Sequence, residues 1–170
     1  AAALPQSGDA QVLLARTLLG VGRRDRAYEA LVLAVRLLPD AVEPRRMLVQ
    51  VLLEKRIYQD AVEVAAEALR SHGTDAPLRV LQARALLALR RTEEAVSALR
   101  TALQLDDSSA VAWQLLADAL VELERPGEAV GAFVRVTELS PRAAAAYVGL
   151  GRALRAKPTG GLALDVLRRG

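Results

Sequence analysis

Trp113, Leu116, Leu120 and Leu123 follow one another at steps of three and four residues, and Ala129, Phe133 and Val136 resume the same steps after a break. Such spacing lines one face of a helix, so the stretch predicts two amphipathic helices. The break is the pentapeptide ERPGE at 124–128, where Pro126 cannot extend the helix before it but suits the first turn of the helix after it. The predicted element is a helix–turn–helix.

This pattern recurs with a period of 34 residues, anchored on Ala27, Ala61, Ala95, Ala129 and Ala163. Four residues beyond each anchor stand Leu31, Ala65, Leu99, Phe133 and Leu167, and twelve beyond stand Pro39, Gly73, Asp107 and Pro141. The latter all break helices or favour turns. Before the anchors the chain aligns Gln11, Arg45, Arg79, Trp113 and Tyr147, then Ala15, Val49, Ala83, Ala117 and Gly151, then Leu18, Leu52, Leu86, Leu120 and Leu154. Thr92, Glu93 and Glu94 open the second helix of the third copy, read as a hydroxyl cap followed by acids at the positive helix end.

The small residues have a physical role. Helices approach to about 8–10 Å only where the side chains at the crossing permit it. Ala117 and Ala129 therefore let the two helices of a copy close, with Trp113 and Phe133 filling the space beside them. One helix pair cannot bury its apolar faces alone, so stacking of successive pairs must complete the core.

A repeat of this length carrying Trp113, Leu116, Ala117, Leu120, Ala129, Phe133 and Pro141 resembles the tetratricopeptide repeat (TPR) family. The fourth copy follows that family's pattern closely, with alanine for glycine at 117 and leucine for tyrosine at 120. The first three copies lack its aromatics, and Val49 crowds a site where the family prefers glycine, alanine or serine. The resemblance implies an all-α, right-handed α-solenoid (a TPR superhelix) with repeats at about 8–41, 42–75, 76–109, 110–143 and a partial fifth at 144–170. Residues 1–7 are expected to be a linker or the end of a preceding repeat, because Pro5 stands one period before Pro39.

Composition agrees with helices. Hydrophobic residues make up 52% of the chain but aromatics only 3%, so alanine, leucine and valine supply the core. The absence of cysteine excludes disulfides, thiolate metal sites and cysteine nucleophiles. No apolar run approaches the roughly 20 residues of a membrane span, so no membrane insertion is expected. No signal-peptide pattern opens the chain, and its start without methionine reads as an excerpt or a processed product. The compartment stays open between cytoplasm, which is favoured, and periplasm.

The net charge of +3 is uneven: residues 142–170 carry six basic groups against Asp165. Nucleic-acid binding through that end is disfavoured, because stacking aromatics are scarce. Arginine-rich usage points to a GC-rich bacterial genome.

Catalytic chemistry finds no constellation. The lone His72 reads as a solvated turn residue, and Glu93–Glu94 and Asp106–Asp107 as helix-start and turn acids. Gly149 and Gly151 suit helix packing rather than a phosphate loop, and the run at 157–161 lacks P-loop spacing. The expectation is a protein that is not an enzyme and has no cofactor or metal.

The resemblance further implies a concave groove lined by the first helices, which in that family holds peptides, helices or small domains of partner proteins. Here the groove positions are Val12, Leu13, Arg16 and Leu19; Arg46, Met47, Gln50 and Leu53; Val80, Leu81, Arg84 and Leu87; Gln114, Leu115, Asp118 and Val121; then Arg152 and Arg155. About half are leucine, valine or methionine. The expected partner is an amphipathic protein segment with apolar anchors and with acids that meet Arg16, Arg84 and Arg152. Alternatively these residues are plain contacts between first helices, with Arg84 paired to Asp118. Too few basic groups remain for capture of a C-terminal carboxylate. A second expectation is homo-oligomerisation through Leu162, Leu164, Val166 and Leu167, which no further helix would cover. Family habit and arginine usage together suggest bacterial secretion, pilus, motility or envelope assembly.

Overall fold

A computed structural model describes residues 7–156 of the chain. The described residues form nine α-helices and no strand, an all-α repeat solenoid: α1 (Gly8–Gly20), α2 (Arg24–Leu37), α3 (Val42–Glu54), α4 (Tyr58–Ser71), α5 (Ala76–Ala88), α6 (Thr92–Leu105), α7 (Ala110–Glu122), α8 (Pro126–Leu139) and α9 (Ala144–Ala156). They fall into two compact units divided between Leu105 and Asp106. Ala163 and Leu167, the leucines of the expected self-association surface and Pro5 lie outside the described residues.

In the first unit α1 packs on α2, α3 on α4 and α5 on α6, while α2 meets α3, α4 meets α5 and α3 also touches α5. The anchor alanines Ala27, Ala61 and Ala95 are fully buried, as are Ala15, Val49 and Ala83 on the first helices. Val49 is accommodated in a pair whose second helix carries a small residue four positions beyond its anchor. Where the other pairs combine Ala15 with Leu31 or Ala83 with Leu99, α3 and α4 combine Val49 with Ala65, and all six side chains are buried. Volume is redistributed across the pair rather than added, as dense packing demands.

Each first helix ends in the same way. Arg23 N–H donates to Leu18 O at 2.8 Å, Ile57 N–H to Leu52 O at 2.9 Å and Arg91 N–H to Leu86 O at 2.9 Å. These bonds span six residues and require a left-handed residue just after the helix. Gly22 supplies it in the first pair at φ 74°, but Arg56 and Arg90 adopt it at φ 61°. For a residue with a Cβ that conformation costs about 1–2 kcal/mol. It persists because the turn sets the approach of the second helix.

The turns are also joined by charge. Arg24 Nε donates to Glu54 Oε2 at 2.6 Å, and Lys55 pairs with Asp25, drawing that carboxyl below its usual range by hydrogen bond and charge. Lys55 also lies over the Tyr28 ring, 5.6 Å from its centroid.

Between pairs the chain makes β-turns: Ala41 N–H donates to Leu38 O at 3.2 Å and Asp75 N–H to His72 O at 3.0 Å. Pro39 and Gly73 occupy the second turn position, which explains why a turn-former recurs there. The side chain sixteen residues before Ala61 and before Ala95 fastens this loop. Arg45 Nη1 donates to Ala41 O at 2.9 Å, and Arg79 Nη2 donates to Gly73 O at 2.8 Å.

In the second unit α7 packs on α8, and α9 packs on α8 and touches α7. Ala117, Ala129 and Phe133 are buried, Arg125 N–H donates to Leu120 O at 2.9 Å, and Glu124 takes the left-handed position at φ 56°. Pro126 opens α8 as the spacing predicted. The loop-fastening position holds Trp113, whose indole N–H donates to Asp107 O at 2.8 Å while Arg135 lies over its ring. Ser109 caps α7 by accepting from Ala112 N–H at 3.2 Å.

Three details differ from the sequence reading. Thr92 is the first residue of α6 and buried, so it matches Pro126 of α8 rather than a cap residue, and the first-turn contact is Arg91 with Glu94 at 2.7 Å. His72 stands in the expected turn but is not fully solvated. It closes α4 through its N–H to Ala68 O at 2.9 Å, is half-buried, and has Nε2 shielded from solvent. Gly149 is a packing glycine, since a Cβ there would lie 2.3 Å from Phe133, whereas Gly151 has nothing within 4 Å.

Candidate functional site

A first helix divides its apolar residues between two faces. On α3, Leu48, Val49, Val51 and Leu52 are buried; on α5, Leu78, Ala83, Ala85 and Leu86 are. Next to these core stripes runs the set expected to meet a partner. Ten of those eighteen residues are half-buried: Val12, Leu19, Arg46, Met47, Leu53, Val80, Leu81, Leu87, Gln114 and Leu115. Leu13, Arg16, Gln50, Arg84, Asp118, Val121, Arg152 and Arg155 are exposed. None is fully enclosed. The sets of α1, α3 and α5 lie in the first unit, and the remainder lie in the second.

The apolar members keep contact with solvent despite a core that hides neighbouring leucines completely. Leu13 is 65% exposed and Val121 43%, while Leu78 and Leu99 are at 0%. A helix that needed only its core stripe would carry charge here.

Electrostatics on this face were not visible in the residue pattern. Arg16 Nη2 pairs with Glu43 at the start of α3. Arg46 Nε lies 3.5 Å from Asp75 Oδ2, and the same carboxylate caps α5 by accepting from Leu78 N–H at 2.8 Å. Asp118 accepts from Gln114 Nε2 at 3.0 Å on both oxygens. Arg84 carries no hydrogen bond or ion pair among the described residues. Glu43 and Asp75 were missed because their partners come from a neighbouring helix, and only a three-dimensional register brings them together.

Among the described residues no group of three histidines, cysteines, aspartates or glutamates could hold a metal ion, and no helix is long and apolar enough to cross a membrane.

A family model described as tetratricopeptide repeat matches residues 115–170, and one described as ChAPs (Chs5p-Arf1p-binding proteins) matches residues 5–133. Residues 115–170 match the tetratricopeptide repeat family, and the described residues carry its fold. Among solved TPR structures, MamA superposes with TM-score 0.83 at 19% identity, covering 95% of this chain and 88% of its own. YrrB, a TPR protein with an unusual peptide-binding site, gives 0.74 at 22%, covering 96% and 93%. The thermophilic TPR protein TTC0263 of Thermus thermophilus gives 0.72 at 24%, covering 88% and 82%. At these identities the likeness is one of fold. No curated protein matches the sequence.

Proposed function

We propose that this chain is a non-catalytic protein-interaction scaffold whose first-helix face holds an amphipathic segment or small domain of another protein. The observation that carries this reading is the row of half-exposed leucine, valine and methionine side chains beside a fully closed core. Such surface gains stability when a partner covers it, and each apolar side chain newly enclosed contributes about 1–2 kcal/mol. The peptide-binding site attributed to YrrB supports the reading.

The test pairs Leu53→Asp with Leu87→Asp. Both residues are only half-buried, so the double variant should fold, and partners crosslinked to the wild-type face in extract of the source cells should be lost. Undiminished crosslinking would refute the use of this face.

A second reading, self-association, is favoured by a separate feature. Against the α1–α2 pair a cleft of about 310 Å³ is lined by Leu14, Leu18, Leu33 and Leu37 together with Gln11, Arg26, Glu29 and Ala30. Light scattering of the wild type and of Leu33→Glu/Leu37→Glu at high concentration decides it. A concentration-dependent dimer abolished by the substitutions supports self-association, and a strict wild-type monomer removes it.

A further inference from the structure

We infer that Arg84 is the specificity-determining cation of the α1–α3–α5 face, selecting a segment that carries one side-chain carboxylate between apolar residues. This rests on the proposed use of that face and adds the chemistry of the occupant. Three arginines stand on it, and two are already engaged. Arg16 is paired with Glu43, and Arg46 faces Asp75 at an ion-pair distance of 3.5 Å without a hydrogen bond, Asp75 being itself fixed as the cap of α5. A ligand carboxylate reaching either arginine would have to displace a resident acid and would be repelled by it.

Arg84 differs. Its guanidinium is exposed and unmatched among the described residues, set between half-buried Leu81 and Leu87 on the same helix face. Gln50, at the same register position on α3, carries no charge.

Such an arrangement discriminates by what it penalises. A purely apolar segment lying on Leu81 and Leu87 would strip water from Arg84 and leave the charge unmatched, which is unfavourable in a desolvated setting. A segment with an aspartate or glutamate at that point supplies a charge-assisted pair, bidentate if the geometry allows. A basic residue there is rejected outright. Removing the pair should weaken binding by roughly ten-fold or more.

Random peptides displayed through their C-terminus, so that no free terminal carboxylate is offered, would be selected on the wild-type protein. Selected sequences would then be made as amidated peptides and measured by fluorescence anisotropy. The expected outcome is an aspartate or glutamate flanked by apolar residues. Arg84→Gln should weaken binding about ten-fold, the acid-to-amide peptide should lose the same factor, and the two changes together should lose little more. Arg16→Gln should stay within about two-fold. Circular dichroism should show both variants folded, since both residues are exposed. Selection of peptides without an acid, or equal losses from Arg84→Gln and Arg16→Gln, overturns the inference. Leu87→Asp separates the two levels. If it leaves peptide affinity intact, the face itself is wrong; if it abolishes binding while Arg84→Gln does nothing, the face stands and the role of Arg84 falls.

Discussion

Alanine in place of Gly149 sets two opposing effects of known size against each other. Inside a helix, glycine to alanine stabilises by about 0.8–1.0 kcal/mol through backbone entropy. At this position, however, the new Cβ would stand 2.3 Å from Phe133 Cε1 and 2.4 Å from Cζ. Ordinary carbon contacts lie at about 3.5–4.0 Å, so the ring must retreat by roughly 1 Å. Phe133 is only 1% exposed and among the largest fully buried side chains, which leaves it little room. Overpacking of this kind costs about 1–3 kcal/mol and outweighs the gain. Gly149→Ala should therefore destabilise by about 1 kcal/mol. Gly151→Ala in the same helix and Gly131→Ala in α8, where a Cβ meets nothing within 4 Å, should stabilise by up to about 1 kcal/mol. Urea titrations followed by circular dichroism and by Trp113 fluorescence measure all three. The difference between Gly149→Ala and Gly151→Ala cancels helix propensity and isolates the clash, and Phe133→Leu in the Gly149→Ala background should recover part of it. If Gly149→Ala and Gly151→Ala both raise the midpoint equally, the close approach of α9 to Phe133 is refuted.

Other expectations follow the same physical lines. Arg56→Gly, Arg90→Gly and Glu124→Gly should each stabilise by about 1 kcal/mol by relieving the left-handed conformation, whereas Gly22→Ala should destabilise by a similar amount; thermal melts check the signs. Val49→Ala and Ala65→Leu should each cost about 1–3 kcal/mol, and the double variant should cost less than their sum by about 1 kcal/mol or more, as a double-mutant cycle in urea would show. The carboxyls of Asp25, Glu94 and Asp106 are lowered by Lys55, Arg91 and Ser108 respectively. Their folded forms bind protons less readily than unfolded ones, so this stabilisation is present above the ordinary carboxylate pKa of about 4 and is lost as the pH falls through the lowered values. Acid melts should show a steeper loss for the wild type than for Lys55→Gln, and parallel profiles would count against the Lys55–Asp25 contribution.

Periodicity made much of this fold legible. Alanines at fixed intervals specify where helices cross, and Pro126 and the turn-formers at Pro39, Gly73 and Pro141 specify where they stop. Physical information that lies between helices stayed hidden. Nothing in the residue types of Arg56, Arg90 or Glu124 announces a positive φ, because the conformation is imposed by the helix pair. Gly149 and Gly151 look alike on paper and differ only by what stands opposite. The candidate face was readable as a stripe, but its charge state was not, since the acids Glu43 and Asp75 reach it from neighbouring helices. Thr92 shows the same limit at finer scale, where one position separates a capping hydroxyl from a buried one.

The side chain that secures three of the inter-pair loops carries a broader lesson about divergence. Arg45, Arg79 and Trp113 deliver an N–H to a loop carbonyl by quite different chemistry. Tryptophan and arginine are neighbours in the genetic code, so a lineage can exchange the aromatic hallmark for a cation without passing through an unfolded ancestor. Arrays of this kind can therefore shed their most recognisable residues while conserving architecture, and the freed surface becomes available for new charge.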